Sequence, residues 1–319
     1  MQNQINNNSL KHAYLFCGSA GTGKTSSARI IANHINKNQA PPLELDCASH
    51  NGVDDVRAII DECKTMPMVG RYKIFILDEV HMLSNQAWNA MLKILEEPPE
   101  YVIFIFCTTD PQKIIGTILS RVQRFNFSRI STSGIIARLK YILESENSER
   151  KVAGISPIVY EDSAIDYIAR LAKGGMRDSI TTLEKCLDYS TNITLQNVID
   201  VTSGGVNEYI LLELLAHILN KHCKEALLLF EKIFMSGIDV SLFLKIWIEY
   251  LQNCTKYMIT QIAEITTLSD ITTNKLDTKL NLLGEVQDLL DSVFLIKNNY
   301  STDDMRILVE SWIIEQCNK

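Results

Sequence analysis

No apolar run in this sequence approaches the roughly 20 residues that a transmembrane helix needs, so no membrane span is predicted. The stretch Met1–Leu10 is Asn-rich and polar and contains no signal-peptide core. Eight cysteines are present, and no two have CxxC spacing. That argues against a zinc knuckle and against a dithiol motif. Most of them lie in apolar runs, the pattern of buried free thiols in a reducing cytoplasm. There is no internal repeat and no low-complexity tail. Positive charge is also in short supply: 31 Lys and Arg stand against 38 Asp and Glu, for a net charge of −7. This balance argues against a general nucleic-acid coat but leaves room for a local basic surface. What is present is ordinary for a globular chain, with 46% hydrophobic and 22% charged residues, and excludes wholesale disorder. The 319 residues exceed one typical core of about 100–200, so two or three domains are expected.

Along the first third, strand and helix patterns alternate. Ala13–Cys17 is a short apolar run ending at glycine. In Lys24–Asn36, residues Ala28, Ile31, Ala32 and Ile35 form one helix face. Pro41–Pro42 break the chain before a second short strand, Leu43–Cys47, and Val56, Ile59, Ile60 and Cys63 mark another amphipathic helix. Lys73–Leu77 and Tyr101–Cys107 are continuous apolar runs, which suits strands buried on both faces of a parallel sheet. Between them, Trp88, Met91, Leu92 and Leu95 share a helix face that Pro98–Pro99 stop. Val122–Phe127 reads as an edge strand. The alternation predicts a layered α/β domain with a parallel sheet. Beyond about residue 129 the strand signals fade. Helices are expected over Ser131–Glu146, Glu161–Lys173 and Met176–Tyr189, with Gly174–Gly175 as punctuation. Thr202–Gly205 is a second candidate boundary, and everything after it reads as helical except a Thr- and Asn-rich loop over Ile265–Lys279.

The chemistry concentrates in Gly18-Ser19-Ala20-Gly21-Thr22-Gly23-Lys24-Thr25, which matches the phosphate-binding pattern G-x-x-x-x-G-K-[ST]. It follows a strand and opens a helix that continues through Ser26, the context that the pattern requires. Glycines let the backbone wrap around phosphates with its N–H groups pointing inward, and the helix N-terminus adds a positive dipole end. Lys24 would reach the β- and γ-phosphates, and the Thr25 hydroxyl would bind Mg²⁺. The apolar strand Ile74–Leu77 ends in Asp78 and Glu79. Asp78 fits the carboxylate that holds Mg²⁺ through water, and Glu79 the base that polarises the attacking water. A solvated turn and a pair of solvated acids are the competing readings, and the two motifs together disfavour both.

Further blocks carry a resemblance. Asp78–Ser84 (DEVHMLS), Ala90–Glu100 (AMLKILEEPPE), Thr108–Lys113 (TTDPQK), Ile118–Arg121 (ILSR) and Gly175–Asp178 (GMRD) are similar to the gamma/tau subunit family of bacterial DNA polymerase III. That family is the AAA+ ATPase motor of the clamp loader. The resemblance covers nearly all of residues 10–190, and over 200–319 only the helical character agrees. It implies an AAA+ nucleotide-binding α/β domain over 1–129, a small helical lid over 130–201 and an all-α collar over 202–319 that serves oligomerisation. It implies ATP and Mg²⁺ as cofactors, a cytoplasmic location, and as partners other loader subunits in a ring, a sliding clamp and primer–template DNA. Residue roles follow in the same way. Thr109 resembles sensor 1, Arg121 the arginine finger that acts on a neighbouring subunit's ATP, and Arg177 sensor 2. Ser49, Asn51 and Gly52 match the DNA-gripping segment, where the competing reading is a plain loop with Asp54 as helix cap. Met66-Pro67-Met68 match the clamp-facing segment, against ordinary packing.

Three departures from the family stand out. Its four-cysteine zinc module is replaced by the short connection Asn36–Pro42, so no zinc is expected. Its Ser-Arg-Cys becomes Ser120-Arg121-Val122. Only residues 1–12 precede the first strand, where the family carries a longer segment that helps form the adenine pocket. The expected function is ATP-driven clamp loading in DNA replication. The alternatives are a non-hydrolysing structural subunit, or another AAA+ enzyme such as a branch-migration motor or helicase loader. No palm-type set of spaced aspartates points to polymerase activity in this chain.

Overall fold

The computed structural model describes residues 2–7, 9–202, 208–278, 280–299 and 305–319. The chain folds as two compact units: Met1–Ile130 with Gly174–Arg177, and Ser131–Lys173 with Asp178–Lys319. The first unit runs α1 (Gln2–Asn6), β1 (Ala13–Gly18), α2 (Lys24–Ile35), β2 (Leu43–Asp46), α3 (Val53–Cys63) and β3 (Lys73–Asp78). It continues with α4 (Asn85–Glu96), β4 (Val102–Thr108), α5 (Gly116–Leu119) and β5 (Gln123–Phe127). The five strands form one sheet in the order β2-β3-β4-β1-β5, and every pairing is parallel.

Side-chain alternation builds two cores, one on each face of that sheet. Leu15, Phe75, Leu77, Phe104 and Phe106 face α3 and α4, where Val56, Trp88 and Met91 complete the layer. Tyr14, Phe16, Ile74, Ile76, Ile103 and Ile105 face the other way, onto Ala28 and Ala32 of α2. All seven residues of β4 are buried, and its first six, Val102–Cys107, are apolar without a break before the strand closes on Thr108. By contrast β2 is an edge strand whose residues are largely exposed. The register sets the functional geometry. Cys17 pairs with Thr108 and Asp46 with Asp78, so the loops after β1, β3 and β4 leave the same carboxyl edge of the sheet. In open parallel sheets that edge is where ligands bind.

The second unit contains α6 (Thr132–Ala153), β6 (Val159–Tyr160), α7 (Asp162–Leu171), α8 (Met176–Tyr189), β7 (Asn192–Ile193) and α9 (Leu195–Thr202). The first residues of α8 belong to the first unit. Then come α10 (Glu208–Leu219), α11 (Cys223–Met235), α12 (Val240–Thr260), α13 (Asp270–Asp277), α14 (Leu283–Asn299) and α15 (Met305–Asn318). Its largest core gathers Leu211, Leu214, Leu215, Phe230, Phe243, Trp247 and Trp312. Phe243 stacks on Trp247 with ring centroids 6.3 Å apart, and Trp312 meets the same indole edge-on at 6.4 Å.

Two features differ from the sequence expectation. The two-residue strands β6 and β7 pair in parallel, a length too short to leave a periodic signal. The Thr-rich stretch expected as a loop contains α13. Thr272, Thr273 and Leu276 of that helix are buried, so tertiary packing overrides the weak helix propensity of threonine. Of the Thr202–Gly205 boundary, Thr202 closes α9 and residues 203–205 lie outside the described residues, as does Lys279.

Candidate nucleotide site

The loop between β1 and α2 is built by close backbone approach. A Cβ at Gly18 would sit 2.3 Å from the carbonyl oxygen of Phe127 on the paired strand β5. Gly21 has φ +71, and its carbonyl accepts the N–H of Met176, a residue of the same compact unit, at 2.9 Å. Thr22 ties the loop to itself, donating from Oγ1 to the Ser19 carbonyl at 2.8 Å. Lys24 is buried, and its Nζ donates to the carbonyls of Gly18 at 2.9 Å and Ser19 at 3.0 Å. Ser19, Ala20 and Ser26 are exposed, and Gly23 caps α2 in a left-handed conformation. The ammonium is thus held on two loop carbonyls at the N-terminus of α2, and a cation beside a helix N-terminus favours an anion.

The second motif meets the first here. Thr25 Oγ1 donates to Asp78 Oδ2 at 2.6 Å, joining residues 53 positions apart. Asp78 Oδ1 accepts the Glu79 N–H at 3.0 Å. Glu79 adopts φ 46, ψ 43, a left-handed backbone that turns the chain sharply off the end of β3. Strain of this kind in a non-glycine residue costs on the order of 1 kcal/mol or more and clusters at functional sites. Glu79 Oε2 accepts from Thr109 N at 3.3 Å and from Thr109 Oγ1 at 3.1 Å. Thr109 follows the last residue of β4, so the sheet register places it beside β3.

Sequence reasoning missed two neighbours. His81 Nδ1 lies 3.2 Å from Glu79 Oε2 and hydrogen-bonds Thr108 Oγ1 at 3.1 Å. Thr108 is fully buried and also accepts the Asp110 N–H at 3.0 Å. The available signals were a histidine two residues after Glu79 and a polar pair closing an otherwise apolar strand. Beneath the site, burial pushes the thiols of Cys47 and Cys107 up to about 12, with Asp46 and Asp78 respectively adding to the effect.

Not every candidate joins this cluster. Arg121 precedes β5, and Phe127 at the far end of that strand pairs with Gly18. At about 3.3 Å per residue, Arg121 therefore lies roughly 15–20 Å from its own loop, at the opposite sheet edge. Its guanidinium donates to Glu96 Oε1 at 2.6 Å and the Thr117 carbonyl at 2.7 Å. Arg177 is exposed in the first turn of α8, and its backbone N would lie 3.4 Å from a Cβ on Gly21. Ser49 is exposed and bonds back to the Asp46 carbonyl at 3.2 Å. Gly52 is the N-cap of α3, and its N–H donates to Asp55 at 3.1 Å. Asp54 instead pairs with Arg57 at 2.9 Å, so it is not the cap. Met66 and Met68 are 73% and 101% exposed, which excludes ordinary packing for these two side chains.

Comparison with known proteins gives the family. A family model described as DNA polymerase III, delta subunit, matches residues 44–131. DNA polymerase III subunit gamma of Buchnera aphidicola is 33% identical over 282 residues, covering 82% of this chain and 73% of that protein. This chain belongs to the DNA polymerase III gamma/tau family. Another member, subunit tau of Bacillus subtilis, is 36% identical over 278 residues, and the chain spans 48% of its length. Among solved structures, a Thermotoga maritima RuvB mutant superimposes with a TM-score of 0.50 at 17% identity. It covers 68% of this chain and 72% of its own, and shows the fold alone. The gamma/tau assignment and the sheet order make the first unit an AAA+ P-loop domain, followed by helical segments. No helix among the described residues is long and apolar enough to cross a membrane.

Proposed function

We propose that this gamma/tau family chain is an ATP-hydrolysing motor subunit of a clamp loader, which opens a sliding clamp and places it on primer–template DNA. The observation that carries the reading is the 2.6 Å bond from Thr25 to Asp78, with Glu79 next in sequence and held by Thr109. A hydroxyl and a carboxylate are hard oxygen donors, and Mg²⁺ binds through one or two such protein ligands plus phosphate and water, so the pair fits that ion. Bound Mg²⁺ would neutralise charge on the β- and γ-phosphates. Gly18–Thr25 wrap the phosphates with backbone N–H groups, and Lys24 exchanges its two loop carbonyls for phosphate oxygens. Glu79 accepts a proton from the attacking water, and Thr109 orients that carboxylate. Arg177 approaches the nucleotide from the start of α8.

Arg121 cannot reach its own loop, so its guanidinium serves ATP on a neighbouring subunit, leaving Glu96 to do so. The division of labour we propose is motor 1–129, lid 130–201 and collar 202–319. Ser49, Asn51 and Gly52 face DNA phosphates, and Met66 and Met68 present adaptable apolar contacts to the clamp. The test mixes full-length Lys24→Ala and Arg121→Ala variants, each expected to be inactive alone, in the presence of clamp and primer–template DNA. Mixed assemblies regain hydrolysis at interfaces pairing an intact loop with an intact arginine. Recovery no greater than the unmixed variants removes the trans role. Failure of the unmodified chain to hydrolyse ATP removes the motor role.

A further inference from the structure

We infer that His81 is a positioning residue for Glu79: by holding one carboxylate oxygen, it aims the other at the attacking water. The inference rests on the hydrolytic reading above. Three polar contacts converge on a single oxygen of Glu79. Thr109 donates to Oε2 from its backbone N–H at 3.3 Å and from its hydroxyl at 3.1 Å, and His81 Nδ1 lies 3.2 Å from the same atom. Among the described residues, Oε1 receives no hydrogen bond. A carboxylate oxygen that already takes several donors has little capacity left as a base, whereas its free partner keeps its lone pairs.

The imidazole is itself held firmly. Its side chain is only 12% exposed, and Nδ1 is hydrogen-bonded to the hydroxyl of Thr108, which is fully buried and anchored by the Asp110 N–H. A lone pair on Nδ1 would confront a carboxylate oxygen at 3.2 Å, so the ring is assigned the Nδ1–H form, with its proton between Thr108 and Glu79. The left-handed backbone at Glu79 makes this contact possible. An extended chain would carry the residue two positions on about 6–7 Å further along the strand. Here the chain turns at φ 46 into a short 3₁₀ segment, Val80–Met82, which returns His81 to the end of β4. Thr109 alone would leave the carboxylate free to swing about its last torsion, which is soft for a planar group. The ring closes the side that Thr109 leaves open.

The two nitrogens of histidine are mimicked by different side chains, and this supplies the test. Asn places a polar atom near the Nδ1 position, Gln near Nε2, and Ala neither. In the full-length protein, His81→Ala and His81→Gln should lower kcat for ATP about tenfold, the scale of a mispositioned base, with KM and nucleotide affinity unchanged. His81→Asn should recover to within about threefold of the parent, because it can still donate to Oε2. Retained nucleotide affinity shows that these variants fold. Parent-like kcat in both Ala and Gln variants overturns the inference, as does an increase, which would mean that His81 restrains Glu79. So does equal loss in all three variants, which would mean a purely structural role. Glu79→Gln separates this from the parent reading. If Glu79→Gln hydrolyses ATP normally, the hydrolytic assignment itself is wrong and the inference falls with it. If Glu79→Gln is inactive and the His81 variants are normal, only the inference fails.

Discussion

Replacing Gly18 by alanine tests the foundation of the nucleotide site, because the obstruction is backbone against backbone. The added Cβ would sit 2.3 Å from the Phe127 carbonyl oxygen. A carbon–oxygen contact of this type relaxes to about 3.3 Å, so β1 and β5 must part by about 1 Å. That stretch breaks a ladder hydrogen bond worth about 1 kcal/mol net. Overpacking adds roughly 1–3 kcal/mol. A local destabilisation of about 2–4 kcal/mol corresponds to hydrogen exchange faster by roughly thirty- to several-hundred-fold. Exchange in the full-length protein, read by mass spectrometry on peptides from β1 and β5, measures it directly. Peptides from α12, in the other compact unit, serve as the internal reference. The matched control is Gly116→Ala, where nothing lies within 4 Å of the added carbon, and exchange should stay near the parent level. Nucleotide affinity should fall with Gly18→Ala as well, since Lys24 Nζ is bound to the Gly18 carbonyl at 2.9 Å. Exchange in β1 and β5 within about threefold of the parent would refute the packing argument.

Other perturbations reach different parts of the molecule. Thr25→Val keeps the shape of the side chain but removes the 2.6 Å donor to Asp78. ATP turnover should drop by at least about 100-fold, and Thr25→Ser should restore most of it. Glu208 is buried, and desolvation holds its carboxyl above the ordinary range despite hydrogen bonds from the Ser269 N–H at 2.9 and 3.1 Å. A raised folded-state value means that its favourable contribution is present below the ordinary carboxylate range and is lost as pH rises through the raised value. Glu208→Gln should therefore raise the thermal midpoint at pH 7, with the gain vanishing toward pH 4; a gain independent of pH would contradict this. The thiols of Cys47, Cys63 and Cys107 are pushed up to about 12 by burial, so at pH 8 only about one in ten thousand is a thiolate. In alkylation followed by mass spectrometry, the less buried Cys223 should label first and these three only on unfolding.

The alternation of apolar runs with amphipathic helices fixed the layered α/β class, because the buried strands are short continuous apolar runs and the helices between them carry one apolar face. The phosphate loop and the acidic strand end were legible for the same reason: each is a contiguous block. The α13 helix was not, since threonine's weak propensity hides a segment that only burial of Thr272 and Thr273 makes helical. Nor was the role of Gly52 and Asp55 at the start of α3, where adjacent aspartates compete for the cap and backbone geometry chooses between them.

By itself, then, the sequence determined which chemical groups this protein carries and in what local setting: a glycine-wrapped lysine, a strand ending in two carboxylates, an arginine ahead of an edge strand. The tertiary structure decided which of them meet. Parallel register brings Thr25 to Asp78 and Thr109 to Glu79, seats His81 between Glu79 and Thr108, and leaves Arg121 at the other edge beside Glu96. Register is set by packing of both sheet faces over long sequence separations, and no local pattern contains it.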